Sequence, residues 1–380
     1  MRKGKTSGFN GSANATLGDP KNYQTALNFN LRSNKINLFS NLSYNDGGSP
    51  GIFNSNITYL TNKIIDSTRI ENRVYDRNRK SLNANVGLEY FINKSNSITA
   101  SIFLKDSDEQ NISTNSISSF DISDNNLYNS IRIQDEREKN KTSQFSLNYV
   151  NNFNEKGHQL TIDIQHSESR DTEFAVITDV NPETTATERI SERQLIQSDY
   201  ILPIGENAQF EMGYRGNFEN LIADYVVIAP NLDPRFNPSN KLDFLQKVNA
   251  YYTQFGNKVN NFSYLLGMRV EMTQIDIKLI NSNENFNKKY TNLFPTANIG
   301  YKISENRSLS LGYNRRLSRP RSRALNPFEN RASEIIFYKG NVNLDPTYSD
   351  SFDLGYLDKW EKLTFNSSIY YQHSINNIVR

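Results

Sequence analysis

The sequence predicts an all-β fold, an antiparallel β-barrel that crosses a membrane. Three observations predict it: apolar and polar residues alternate in about fifteen segments, many segments exceed the usual strand length, and short turns alternate with long polar connections. Mean hydropathy is low (−0.68) in this 380-residue chain, yet 12% of the residues are aromatic. A barrel reconciles the two values, because only every second strand residue faces lipid and aromatic residues gather at both membrane interfaces.

The period-two alternation is clearest in the stretches TALNFNLR, SLNANVGLEYF, QLTIDIQH and RSLSLGYN. In the first of these Leu27, Phe29 and Leu31 share one face of a strand, while Asn28 and Asn30 share the other. Helical spacing fits none of these stretches. The predicted strands cover residues 5–17, 22–32, 36–46, 79–92, 97–107, 140–153, 158–170, 188–203, 208–222, 241–255, 259–276, 288–303, 307–318, 348–357 and 362–376.

The connections decide between a membrane barrel and a soluble β-protein. Short turns follow every second strand, at 32–35, 93–96, 154–157, 204–207, 256–258 and 304–306. Between them lie long polar excursions, at 47–78, 108–139, 171–187, 223–240, 277–287 and 319–347. Short periplasmic turns and long extracellular loops at opposite ends of the sheet are typical of outer-membrane barrels. A soluble β-sandwich adhesin stays open as an alternative.

Several other classes of function find no support in the residues. The chain has no cysteine and three histidines without metal-ligand spacing, and no catalytic motif occurs, so we expect neither an enzyme nor a cofactor. The oxygen-rich stretch at 121–126 reads as a solvated turn, with a calcium loop as the alternative. Net charge is formally +2, and the basic run of Arg315, Arg316, Arg319, Arg321 and Arg323 lacks the interleaved aromatics of a nucleic-acid site. A role in the lumen or at the base of a loop, pairing with acidic groups or an anionic ligand, is favoured over nucleic-acid binding, and a purely structural role is favoured over both.

The last hundred residues resemble the TonB-dependent outer-membrane receptors, specifically the β-barrel family abundant in Bacteroidetes. The resemblance covers residues 290–372 closely and most of the chain loosely. Val342 stands where that family usually has proline. The resemblance rests on a Phe-Pro pair entering a strand, a Tyr-x-Arg-Arg-x-x-Arg-Pro hairpin end, a Leu-Asn-Pro-Phe stretch and a Gly-Asn-x-Asn-Leu-x-Pro-x-Tyr-x-Asp-Ser sequence, that is, on Phe294, Pro295, Tyr313, Arg315, Arg316, Arg319, Pro320, Asn326, Pro327, Gly340, Asn341, Asn343, Leu344, Pro346, Asp350 and Ser351.

The resemblance implies a barrel of about 22 strands. Residues 1–380 are therefore expected to be a barrel domain truncated at both ends, without plug domain or signal peptide. It further implies an outer-membrane receptor that imports a siderophore, vitamin, peptide or glycan. Its partners would be outer-membrane lipid, a plug, the TonB complex and the nutrient, with loop 319–347 as the candidate ligand contact. The alternative is a passive porin-like or structural barrel.

Overall fold

A computed structural model describes residues 7–123, 125–230, 239–327, 329–331 and 337–378, without the side chains of 329–331 and 337–338. Fifteen strands form one antiparallel sheet in which each strand pairs with its neighbours along the chain, so the predicted fold class and strand number are confirmed. Within the described residues, the first and last strands form the two edges of the sheet. The strands are β1 (Gly8–Gly18), β2 (Asn22–Arg32), β3 (Ile36–Thr61), β4 (Ile64–Phe91), β5 (Asn96–Asp121), β6 (Asn126–Asn152), β7 (Gln159–Thr178), β8 (Glu183–Ile204), β9 (Ala208–Ile228), β10 (Asn240–Val259), β11 (Phe262–Leu279), β12 (Glu284–Lys302), β13 (Arg307–Ser318), β16 (Thr347–Lys359) and β17 (Thr364–Ile375).

Between β13 and β16 lie a short helix and a two-stranded sheet. The helix is α1 (Ser322–Leu325), and the small sheet pairs β14 (Glu329–Arg331) with β15 (Phe337–Lys339). In the part of the chain that is described, no helix is long and apolar enough to span a membrane.

Most of the predicted long connections are strand rather than loop. β3 and β4 pair from Ile36–Tyr90 up to Thr61–Ile64, so the excursion at 47–78 is a hairpin that continues the two strands. The excursions at 108–139 and 171–187 continue β5 to β8 in the same way. Loops were predicted there because these stretches are rich in Asn, Ser, Thr and charged residues. The observed strand pairing shows that this prediction was wrong. Polar composition marks where a strand leaves the membrane, whereas backbone pairing continues into water.

The register aligns the apolar faces of successive strands. Directly paired residues share a face of an antiparallel sheet, and one apolar row runs through Leu31, Leu38, Leu88, Ala100, Leu147, Ile164 and Ile196. One residue away on each strand, a polar row occupies the other face: Asn37, Glu89, Thr99, Asn148, Asp163, Gln197 and Arg215. The sheet thus has one apolar and one polar face, as a barrel wall in lipid requires.

Exposure identifies the apolar face as the outer one. Leu88 and Ile164 on this face are 43% and 40% exposed, as are many other large apolar side chains near the short turns. A soluble protein rarely leaves so extensive an apolar surface open to water. We call this surface the apolar belt, and lipid is the solvent that suits it.

Charged residues mark the upper limit of the apolar belt. The first outward charges on their strands include Asp46, Lys80, Asp106, Lys141 and Lys247, each 10–12 residues from the strand end beside the short turn. A membrane-spanning strand needs about 9–11 residues, so these charges stand just beyond the hydrocarbon. We call these positions the charged ring. At the opposite limit, aromatic rings meet beside the short turns, as in Phe262–Tyr301, whose centroids are 4.6 Å apart. Strands longer than this span continue beyond the charged ring.

Replacing Ile164 by arginine is expected to destabilise the barrel by about 2–4 kcal/mol, because the substitution places a charge in the hydrocarbon. Gln165→Arg is the matched control, because the next residue along β7 points to the polar face. Reversible denaturation of the barrel in lipid vesicles measures both variants. Equal losses in the two variants would contradict the assignment of the faces.

The main buried cluster lies on the inner face, above the level of the charged ring. Leu242 and Phe244 of β10 pack there with Ile275, Ile277 and Leu279 of β11. Leu325 and Val342, from the segment between β13 and β16, complete this hydrophobic cluster. The segment therefore folds into the barrel instead of projecting from it.

Candidate functional site

The described parts of the candidate ligand loop, residues 319–347, are docked inside the barrel wall. Leu325 is 1% and Val342 is 8% exposed, both in the hydrophobic cluster. Leu344 packs against its edge. Val342 stands where the resembling family usually has proline, and its apolar side chain contributes directly to the docking.

Backbone hydrogen bonds close the loop on itself. The amide of Gly340 donates to the carbonyl oxygen of Asn326, and that of Asn341 donates to Ala324, each at 2.8 Å. A Cβ on residue 340 would lie 2.3 Å from the Asn326 oxygen and 2.6 Å from the Ala324 oxygen. Glycine is required at this position because the two arms of the loop touch there.

Ionic contacts hold both ends of the loop. At the first end, the guanidinium of Arg319 donates to the carboxylate of Glu271 and, at 3.1 Å, to the hydroxyl of Thr273. Arg269 donates to the same carboxylate at 2.7 Å. At the second end, the Nζ of Lys288 donates to the carbonyl oxygen of Leu344 at 2.8 Å and contacts the carboxylate of Asp345 at 3.2 Å.

The other motif residues are distributed over both faces of the barrel wall. Asp350 accepts two hydrogen bonds from Arg315, at 2.8 and 2.9 Å, and one from the hydroxyl of Tyr313 at 2.8 Å. Tyr313 and Arg315 lie two and four residues beyond the exposed Leu311 on β13, and Asp350 pairs with Arg315, so this group lies on the outer face. Phe294 and Ser351 are buried on the inner face. Among the remaining motif residues, the side chains of Pro320 and Pro346 are buried, those of Asn326 and Pro327 are half-buried, and those of Arg316 and Asn343 are exposed.

The Phe-Pro pair lies inside a strand, within the predicted segment 288–303. Phe294 and Pro295 lie inside β12, where Pro295 pairs with Met268 of β11. On its other side β12 pairs with β13 only from Thr296 onward, so the missing amide hydrogen of the proline interrupts no ladder on that side. The proline marks the point where β12 and β13 separate.

A cavity of about 450 Å³ lies inside the hairpins above the charged ring. Inward side chains of β3 to β10 line it, together with Asn326 of the docked loop, which forms part of its wall. The lining residues are Phe53, Arg73, Tyr75, Arg77, Asn111, Ser113, Gln134, Glu136, Glu173, Ile177, Thr185, Thr187, Arg189, Ala223, Tyr225, Asn240 and Asn326.

The three arginines in the cavity wall each pair with a carboxylate. Arg73 lies 3.0 Å from Glu71, Arg77 lies 3.5 Å from Glu109, and Arg189 lies 3.9 Å from Glu173. Arg77 also lies over the ring of Tyr75, with its guanidinium carbon 5.4 Å from the ring centroid. A wall of paired ions, amides, hydroxyls and aromatic faces can bind a polar ligand through many hydrogen bonds.

Glu136 is the cavity residue with a perturbed protonation. Burial and then the nearby carboxylate of Glu173 raise its pKa above the ordinary range, while a hydrogen bond from Gln134 and the charge of Arg77 act against that rise. Its ionised form is therefore disfavoured in the folded protein.

Because the folded pKa of Glu136 is raised, its ionisation costs stability at neutral pH. That cost disappears as pH falls through the raised pKa toward the ordinary pKa of a glutamate. We expect Glu136→Gln to raise the melting temperature at neutral pH and to reduce the gain that the wild type shows on mild acidification. Thermal unfolding of the purified barrel between pH 7.5 and pH 5 measures this, and an unchanged pH dependence would contradict it.

Sequence reasoning proposed loop 319–347 as the ligand contact and missed the rest of the cavity. Most lining residues lie in stretches predicted to be loops, where no inward face was assigned. The sequence signal that could have revealed the cavity is the row Arg73, Tyr75 and Arg77, in which every second residue is one that can bind a polar ligand.

The stretch at 121–126 was predicted to be a solvated turn, with a calcium loop as the alternative. Asp121 accepts hydrogen bonds from the backbone of Ser123 and Asn125, as a turn does, whereas Asp124 lies outside the described residues. Within the described ranges, no group of three or more potential ligands could hold a metal ion.

The fold, with its apolar outer belt and polar inner cavity, defines an outer-membrane β-barrel. The chain belongs to the outer membrane protein β-barrel family, whose model matches residues 151–380. The protein accordingly resides in the bacterial outer membrane, with the short turns on the periplasmic side. No curated protein matches the sequence.

Solved structures share the fold at low sequence identity. The ferripyoverdine receptor of Pseudomonas aeruginosa is 14% identical with a TM-score of 0.62, over 98% of this chain and 49% of the receptor. The alcaligin outer-membrane receptor FauA from Bordetella pertussis is 13% identical with a TM-score of 0.59, over 98% and 53%. The copper transporter OprC is 11% identical with a TM-score of 0.61, over 96% and 53%. The chain spans about half the length of these proteins.

Proposed function

We propose that the protein is the barrel part of a TonB-dependent outer-membrane receptor, and that the cavity inside its extracellular hairpins receives a nutrient ligand for import. The cavity itself is the observation that carries the proposal. It lies on the extracellular side of the charged ring, and its wall combines inward side chains of eight consecutive strands with Asn326 of the docked loop. Such a position suits the capture of a ligand before it passes through the barrel.

The proposal includes partners that act on the polar face. A plug domain would contact the inward polar row below the cavity, and the TonB complex would act on that plug. The similar proteins include an alcaligin receptor, a ferripyoverdine receptor and a copper transporter, which supports import of a scarce nutrient. The ligand class stays open among siderophores, vitamins, peptides and glycans. Transport, and no catalysis, is the proposed activity.

Uptake by living cells tests the proposal. Cells with the intact gene, a deletion strain and an Arg77→Ala strain are compared for solutes removed from a complex medium, by mass spectrometry. We expect the wild type to remove at least one polar solute that the deletion strain leaves, and Arg77→Ala to remove it at least tenfold more slowly. Arg170→Ala is the matched control, because the Arg170 side chain is 65% exposed on the outer face.

Dissipation of the proton-motive force separates an energised receptor from a passive pore. We expect uptake by the wild type to stop. Uptake that continues unchanged would contradict TonB coupling and favour the passive barrel, and equal removal by all strains would contradict transport.

A further inference from the structure

The outer face carries a second apolar surface above the charged ring. Its members are Ile52, Val74, Ile112, Ile131, Ile133, Phe174, Val176, Val226 and Ile228, and their exposure ranges from 40% at Val226 to 71% at Ile52. We call this surface the upper apolar band. It lies about 15–20 residues from the periplasmic turns, beyond the 9–11 residues that cross the hydrocarbon. The band therefore faces water or a partner, not acyl chains.

Strict alternation fixes the band on the outer face. Phe174 and Val176 are exposed, while Ala175 and Ile177 beside them are 1% and 4% exposed on the inner face. Val226 and Ile228 alternate in the same way with the buried Val227. These apolar residues occupy the positions at which a hairpin in water carries polar side chains.

The register places the band residues near one another across β3 to β9. Ile52 pairs with Val74, which pairs with Thr114 and through it neighbours Ile133. A second row joins Phe174 to Ala186 and Val226. Seven strands spaced about 4.8 Å apart, and about six residues of 3.3 Å along each, give a face of about 600 Å². That strip includes outward polar side chains such as Asp135, and it is smaller than the roughly 800 Å² that each partner contributes to a standard interface, so contact between the apolar belts has to add to it.

We propose that the upper apolar band binds a second copy of this chain, side by side in the outer membrane. The band continues the barrel wall, so it faces sideways, parallel to the membrane, where a neighbouring barrel stands. A second copy inserted in the same orientation carries its own band at the same height. A two-fold axis along the membrane normal then brings the two bands together as a self-complementary interface.

Two further features fit this occupant. The band lies on the outer face of β3 to β9, and strands added beside β1 or β17 would pair in the plane of the sheet, so they would leave this face uncovered. The apolar belt continues directly beneath it on the same strands, so the two barrels can approach closely within the lipid. The proposal goes beyond the import function and does not depend on the ligand.

The absence of cysteine from the sequence makes a direct test possible. Single cysteines replace Ile52, Val74, Ile133 or Val176 in the complete protein, and outer membranes are treated with a short bismaleimide. We expect a covalent product of twice the protein's mass from at least one variant. Asn285→Cys is the matched control; Asn285 is exposed on the outer face of β12, at the height of the band but away from it, and should give no dimer.

A second measurement guards against variants that assemble poorly. The double variant Ile133→Asp and Val176→Asp should shift the protein extracted in mild detergent from dimer to monomer by analytical ultracentrifugation, while uptake of the imported solute persists. A monomeric wild type, cross-links to a different protein, or dimers from Asn285→Cys alone would overturn the proposal. Band thiols that a water-soluble maleimide cannot reach, without any dimer, would also overturn it, because lipopolysaccharide would then cover the band.

Discussion

Leu325→Ala is expected to release the docked loop from the hydrophobic cluster at a cost of about 2–5 kcal/mol, the usual range for truncating a fully buried leucine. Leu325 is 1% exposed and packs inside the barrel with residues of β10 and β11. Hydrogen exchange should report the loss as faster exchange of the Gly340 and Asn341 amides, whose partners Asn326 and Ala324 adjoin the truncated residue. The cavity would lose Asn326 from its wall, so uptake should fall as well.

Three further variants define the specificity of this effect. Gly340→Ala should release the same loop by steric conflict, since its Cβ would lie 2.3 Å from a carbonyl oxygen, whereas Gly47→Ala meets nothing closer than 3.7 Å and should be neutral. Arg321→Ala, an exposed side chain in the same loop, should change stability by less than about 0.5 kcal/mol. Unchanged exchange in both Leu325→Ala and Gly340→Ala would show that the loop is not held by this docking.

Arg132→Ala is expected to loosen the extracellular end of the β7–β8 hairpin by about 3–5 kcal/mol, the usual cost of removing one partner from a buried ion pair. The Arg132 side chain is 8% exposed and contacts Asp179 at 2.8 Å and Glu183 at 3.3 Å, whose side chains are 2% and 6% exposed. Removing the guanidinium leaves two carboxylates buried without this cation. Hydrogen exchange across residues 175–190 measures the effect.

The control for Arg132→Ala is Arg170→Ala. Arg170 also pairs with a glutamate, Glu188, but its side chain is 65% exposed, and surface ion pairs contribute about 0–1 kcal/mol. Equal protection of residues 175–190 in the wild type and in Arg132→Ala would contradict the structural role of the buried pair.

The membrane-spanning part of the fold could be predicted because its signal is local. In the segment around Ile164, alternation alone assigns each side chain to lipid or lumen, and the register confirms the assignment. The extracellular hairpins lack that contrast, since polar residues such as Asn72 and Asn115 suit both a strand and a loop. Their pairing depends on partners across the hairpin, which a local pattern does not contain.

The docked loop and the cavity depend on contacts between residues far apart in the sequence. Leu325 belongs to the same hydrophobic cluster as Phe244 and Ile277, and Arg319 contacts Glu271, because the chain returns to the inner face of β10 and β11 after β13. The motif containing Gly340 and Asn341 was recognisable, but its reason, the contact with Ala324 and Asn326, required the structure. The sequence therefore pointed to the loop alone as a ligand contact. In the described structure the loop supplies one residue of the cavity wall, and eight strands supply the others.

Spin-label accessibility along β7, in the outer membrane, tests the central claim that one face of this wall contacts lipid and the other faces the polar interior of the barrel. Cysteines placed singly from Leu160 to Val176 carry the label. Collisions of the label with oxygen, which dissolves in lipid, should be most frequent at Ile162, Ile164 and the other outward positions up to the charged ring. Beyond Glu168, labels at outward positions such as Arg170 and Thr172 should instead collide with a water-soluble nickel complex. Loss of the period-two alternation, or access of the nickel complex to Ile164, would contradict the account.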